Sequence, residues 1–251
     1  EVLEQLTELG ISGNDLEYLV ITHAHFDHIC GIPVLRQAFP KLKVLASSVA
    51  AQVLAKPKVV QGFFDEDLAL AANLGRTAAN LTPPLCIDVD KEISDGEELD
   101  LGQGVVLQFN LLPGHSPCSM AVYLPADRMV FPSDSSGYPI SEDDLFPMYF
   151  YNYKEYISSL EKLLKLDLAA LAGPHELVLA DKNRITAYLQ RSLETTRSLH
   201  AEILTAYQAG QSPEEISSAL YQRFYRGGIA NYSPGNIRTC TDLLVRRSLE
   251  A

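Results

Sequence analysis

Seven consecutive residues, Thr22-His23-Ala24-His25-Phe26-Asp27-His28, restrict what this chain can fold into more than any other stretch. They set three imidazoles and a carboxylate directly after the apolar run Tyr18-Leu19-Val20-Ile21. An extended backbone sends side chains i and i+2 to the same side, so a strand running out into this segment presents His23 and His25 together. If the chain then turns into a helix, Asp27 and His28 swing to a neighbouring position, which suits two adjacent metal ions. Imidazole nitrogen with carboxylate oxygen is a ligand set for zinc, iron or manganese, not for calcium. A lone histidine is more often a core or surface residue than a ligand. Three within six positions, in a chain with six in all, are not explained that way. The remaining ligands are then expected downstream, at strand ends.

Three places meet that expectation. An apolar strand over 106–112 ends in Pro113-Gly114-His115-Ser116. Another over 129–131 ends in Pro132-Ser133-Asp134, and a third over 168–172 ends in Gly173-Pro174-His175. Each candidate ligand follows a short buried strand, so all can converge on one sheet edge. Five of the six histidines are accounted for in this way.

The rest of the pattern places these strands among helices. Residues 1–9 have helical spacing closed by Gly10, and 16–21 form a strand. Helix 31–39 stops at Pro40, strand 43–46 leads into helix 47–54, and apolar residues from 61 to 81 recur at helical spacing. From Cys86 the period becomes two. Runs 87–93, 98–101 and 105–112, with an Asp95-Gly96 turn, suggest a strand meander. Strands 121–124 and 129–131, helix 153–164 and strand 168–172 follow. Beyond Asp181 the chain reads as helix throughout, with Ser212-Pro213-Glu214-Glu215 and Ser233-Pro234 as helix starts. This gives a domain over 1–181 and a helical extension over 182–251.

Bulk properties narrow the partners. At 251 residues the chain can bury roughly three quarters of its unfolded surface and needs no staples. A net charge of −12 with a pI near 4.9 argues against a broad nucleic-acid surface, which needs a positive field. Cys30, Cys86, Cys118 and Cys240 are scattered without a CxxC pair, as expected of free thiols in a reducing, cytoplasmic setting. No apolar run approaches the ~20 residues that span a bilayer, and no signal peptide is evident. The chain opens in mid-helix without Met, so a missing N-terminal piece is expected.

The order HxHxDH, GHS, SD and a final PH resembles the metallo-β-lactamase superfamily over about residues 10–180. The resemblance implies an α/β fold, an αββα sandwich with the site at the shared edge of two sheets, here followed by an all-helical extension. It implies two divalent ions, zinc first with iron or manganese as alternatives. One would take His23, His25 and His115, the other Asp27, His28 and His175, with Asp134 bridging. Asp27 would also orient a bridging hydroxide that attacks a thioester, carboxylic ester or lactone. Three departures stand out. Only 22 residues precede His23, Cys118 stands where the motif usually has Gly, and the last motif reads Gly-Pro-His-Glu rather than Pro-Gly-His-Gly.

Within the superfamily, long helices after the last ligand are similar to those of glyoxalase II-type thioesterases and of the quinolone-signal response thioesterase. They would cover the pocket and admit a small substrate. Their apolar faces (Ile216, Leu220, Phe224; Ile237, Leu243, Leu244) could instead form a homodimer. Tyr138 is a candidate donor to a substrate carbonyl. The aromatic stretch from Leu145 to Tyr151 either lines the pocket or fills the core. Cys118 and His200 are expected to pack. The alternatives are a mono-iron oxidoreductase like the persulfide dioxygenases, an endoribonuclease, and a regulator acting through partner binding. The flavin-partnered di-iron oxidases usually carry Glu where this chain has His25, which disfavours them.

Overall fold

The computed structural model describes residues 2–76, 82–141 and 144–251. The chain divides into two compact units, Glu1–Ser94 and Asp95–Ala251.

The first unit is a three-stranded parallel sheet in the order β1 (Tyr18–Ile21), β2 (Lys43–Ser47), β3 (Lys91–Ile93). Parallel neighbours need crossovers. Helices α2 (Phe26–Ile29) and α3 (Ile32–Ala38) join β1 to β2, and α4 (Ser48–Leu54) and α5 (Pro57–Asn73) join β2 to β3. The helix α1 (Val2–Glu8) precedes the sheet. The central strand β2 is apolar between Lys43 and Ser47, and Val44, Leu45 and Ala46 are fully buried, as a covered parallel strand requires. Ser47 ends it and caps α4, its Oγ accepting from the Ala50 amide. The helical spacing expected to reach residue 81 continues to Asn73; positions 77–81 lie outside the described residues.

One expected element is assigned differently. Alternation over 87–93 predicts the opening strand of the downstream meander, yet only Lys91–Ile93 is strand, and it pairs with β2 in parallel. Asp90 explains this. Its Oδ2 accepts from the Val44 amide at 2.8 Å and from Arg36, and its own amide donates to the Val44 carbonyl. The chain is thereby fastened alongside β2 before it reaches residue 91. Asp95 and Gly96 belong instead to the second unit, where Asp95 Oδ1 accepts from the Leu111 amide and the Gly96 amide donates to the Phe109 carbonyl.

The second unit is built on β4 (Glu98–Asp100), β5 (Val106–Leu111), β6 (Met120–Leu124), β7 (Met129–Phe131), β10 (Ala170–Ala172) and β11 (Val178–Leu179), in the order β11-β10-β7-β6-β5-β4. β4 to β7 are antiparallel neighbours, whereas β10 runs parallel to β7. Two reversals make β5 parallel to β7, so β5, β7 and β10 all point the same way. Whatever follows each of them emerges at one end of the sheet. A two-residue ladder not evident in the sequence, β8 (Tyr138–Pro139) with β9 (Leu145–Phe146), lies between β7 and the helix α6 (Tyr153–Leu163).

Helices α6, α7 (Lys182–Gln208), α8 (Pro213–Phe224) and α9 (Pro234–Leu249) share one apolar core with this sheet. Tyr156 and Leu160 of α6, Ile185 and Leu189 of α7, and Phe224 and Leu244 of α8 and α9 meet in it. Ser212 starts α8 with a reciprocal cap: its Oγ accepts from the Glu215 amide and Glu215 Oε2 accepts from the Ser212 amide. Of the helical apolar faces named above, Ile216, Leu220, Phe224, Ile237 and Leu244 are buried inside their own chain. The segment from Leu145 to Tyr149 is likewise core, and Tyr149 donates to or accepts from Ser248 at 3.0 Å. Among the described residues no helix is long and apolar enough to cross a membrane.

Candidate metal centre

In the first unit, β1 ends at Ile21 and α2 begins at Phe26, so His23 and His25 lie on the connecting turn. His25 is extended (φ −110°, ψ 158°), which leaves the two imidazoles side by side. His23 Nε2 and His25 Nδ1 are 3.1 Å apart. The His28 ring lies 4.2 Å from that of His23, and its Nε2 is 3.6 Å from Asp27 Oδ2. His23 is fully buried. The strand-to-helix change expected from the sequence is therefore present, and it gathers all four candidate donors.

In the second unit, His115 follows β5, Asp134 follows β7 and His175 follows β10, the three strands that run the same way. Asp134 stands between the two histidines. His115 Nε2 is 3.4 Å from its Oδ2, and His175 Nε2 is 3.4 Å from its Oδ1. Donors about 2.1 Å from a shared tetrahedral ion stand about 3.4 Å apart. The donor chemistry and these separations fit a metal-ligand set.

Local structure holds this geometry. His115 Nδ1 lies 2.9 Å from the Met148 carbonyl; a carbonyl only accepts, so Nδ1 carries the proton and Nε2 presents its lone pair. Gly114, immediately before it, has φ +128°, and a Cβ there would lie 2.3 Å from the Tyr156 backbone of α6. The Gly114 carbonyl accepts from the amides of Tyr151 and Asn152, and Ser159 Oγ donates to the Pro113 carbonyl. Asp134 sits on a buried 3-10 turn, Ser133–Ser136. Ser135 Oγ donates to the Leu112 carbonyl at 3.0 Å, tying the Asp134 turn to the end of β5. Tyr188 of α7 donates to the Gly137 carbonyl, and burial pushes both its hydroxyl and that of Tyr156 well above the usual tyrosine range.

His175 and Glu176 are both left-handed, with φ +59° and +64°. Such a conformation costs of order 1–3 kcal/mol per non-glycine residue and persists where surrounding contacts dictate it. Glu176→Gly removes part of that strain, and we expect it to raise stability by about 1 kcal/mol, measured as an increase in the urea midpoint.

The remaining sequence candidates fall as follows. The Tyr138 ring stacks on His175, with centroids 4.5 Å apart and planes at 29°. Cys118 is buried, its Sγ 3.2 Å from Ser116 Oγ. His200 stacks on Tyr153 at 3.8 Å, and burial, with Lys154 nearby, lowers its pKa. Phe150 packs 5.2 Å from the His115 ring. Sequence reasoning missed Tyr232, whose hydroxyl lies 3.4 Å from His175 Nδ1. It is 57 residues from its partner and carries no motif, so only the folded chain reveals it.

Comparison with known proteins agrees with the fold. The sequence is 26% identical over 223 residues to the flavo-diiron protein FprA2 of Clostridium acetobutylicum, covering 81% of this chain and 48% of that protein. It is 28% identical over 185 residues to the metallo-beta-lactamase fold-containing protein ST1585 of Sulfurisphaera tokodaii, covering 70% and 69%. The chain thus spans about half the length of the first of these relatives. In structure it is similar to ST1585, with a TM-score of 0.60 at 24% identity over 94% of this chain and 81% of that one. It is also similar to the metallo-beta-lactamase family protein TTHA1429 of Thermus thermophilus, with a TM-score of 0.67 at 18% identity over 99% and 79%. The family model described as "Metallo-beta-lactamase superfamily" matches residues 1–175, from α1 through the last candidate ligand. This chain belongs to the metallo-β-lactamase superfamily, and it has that fold with a C-terminal helical extension.

Proposed function

We propose that this protein is a metal-dependent hydrolase of thioesters or carboxylic esters, lactones included. In this reading His23, His25, Asp27 and His28 act with His115, Asp134 and His175 to hold two divalent ions. The observation that carries it is Asp134, a buried carboxylate whose two oxygens each face a different imidazole Nε2 at 3.4 Å. A carboxylate with one oxygen for each neighbour is what a bridging ligand requires. When bound, such a pair of ions supplies an acidified water at neutral pH and polarises a carbonyl or phosphoryl oxygen.

The chain's own residues then have definite tasks. The Met148 carbonyl keeps the His115 tautomer correct, and Asp27, beside His28, would orient the nucleophilic hydroxide as well as bind metal. Tyr138 and Phe150 contribute aromatic faces next to His175 and His115, suited to an apolar acyl group. Helices α7 to α9 would restrict the substrate to a small molecule. Freshly purified protein should contain close to two metal ions per chain. It should hydrolyse members of a panel of thioesters, lactones and phosphodiesters, and lose that activity on chelation. Near-zero metal, or turnover indifferent to chelator, would defeat the proposal.

A second reading has a specific observation in its favour. The similarity to a flavo-diiron protein supports iron as the metal and redox chemistry as the reaction. His25, at the position where that group usually has Glu, weighs against it. Oxygen consumption by the iron-loaded protein with a reductant would favour this alternative, and hydrolysis by the zinc-loaded protein the first.

A further inference from the structure

His115 has a backbone carbonyl to fix its tautomer; His175 stands after β10 on a left-handed backbone. Its ring is held on two sides. Tyr138 stacks on one face, and Tyr232 approaches edge-on, with ring planes at 77° and its hydroxyl 3.4 Å from Nδ1. We propose that Tyr232, from the turn between α8 and α9, is the positioning residue for His175. Its hydroxyl accepts the Nδ1 proton, which leaves Nε2, the atom facing Asp134, with its lone pair free to bind metal. This rests on the reading of His175 as a ligand.

The helical extension is built to present this hydroxyl. The Tyr232 amide donates to the Ile229 carbonyl, its carbonyl accepts from the Tyr225 hydroxyl at 3.2 Å, and Ser233 next to it caps α9. The same turn makes room for the other tyrosine. A Cβ at Gly228 would lie 2.3 Å from the Tyr138 hydroxyl, so glycine there leaves room for Tyr138 to lie on the imidazole. One turn, Gly227–Asn231 followed by Tyr232, therefore serves both sides of the ring. Partners that orient a ligating histidine from its far nitrogen are worth about 10- to 100-fold in metal affinity.

The test uses the full chain and zinc. Zinc affinity is measured by chelator competition for the wild type, Tyr232→Phe and His175→Ala. In parallel, nitrogen-15 NMR follows solvent exchange of the His175 Nδ1 proton in the zinc-loaded protein. We expect Tyr232→Phe, which keeps the ring and its packing, to weaken zinc by about tenfold or more and to speed that exchange. If His175→Ala weakens zinc while Tyr232→Phe leaves affinity within about twofold, the positioning role is wrong and the ligand reading stands. Weaker zinc with unchanged proton exchange also overturns it, since a loosened turn would then be the cause. If His175→Ala leaves zinc unaffected, both fall together.

Discussion

His115→Ala is expected to cost the protein a metal ion and to lower hydrolysis by at least about a thousandfold. The size follows from what the ion supplies: without it the attacking water is no longer acidified to the same degree, and the nucleophile at neutral pH is depleted. The substitution also removes the donor to the buried Met148 carbonyl, a loss of about 1–3 kcal/mol. Metal content by elemental analysis, rates on the best substrate and a urea melt together separate the two effects. A folded variant that keeps both ions and most of its rate would show that His115 is not a ligand.

Gly114→Ala is expected to act on the same corner through packing alone. Its φ of +128° is open to glycine and strained for any L side chain, and the added methyl would lie 2.3 Å from the backbone of Tyr156. Backbone atoms at the start of a packed helix cannot step aside as a side-chain tip can. Strain of 1–3 kcal/mol and overpacking of similar size give a loss of about 4 kcal/mol, a large part of the 5–15 kcal/mol typical of a domain. The urea midpoint should fall sharply. Metal affinity should fall with it, because α6 can relieve the clash only by moving the corner that carries His115. A change under about 1 kcal/mol would mean that α6 does not approach so closely.

What could be read from the sequence, and what could not, divides along physical lines. The histidine cluster, the strand ends at His115, Asp134 and His175, and the cap at Ser212 are local patterns, set by residues within a few positions of one another. They are present in the folded chain where the pattern puts them. The assignment of β3 was not local. An alternating run fits any sheet, and Asp90 directs it to β2 through partners 46 and 54 residues away. The left-handed pair His175 and Glu176 carries no glycine to announce it. Tyr232 is one of 12 tyrosines, with nothing beside it in sequence to distinguish it. The substrate is least legible, because aromatic residues that fill a core and those that line a site share one composition.

The hydrogen bond between Tyr149 and Ser248 spans 99 residues, and it has a consequence for the order in which the molecule matures. Contacts of such long sequence separation close late, because a large loop must be ordered before they repay it. Every contact inside the first unit is available once residue 94 has been synthesised. The second unit cannot complete its core until α9 exists. During translation, then, His23 to His28 acquire the contacts of their own unit first, while His115, Asp134 and His175 wait for a scaffold completed by α9.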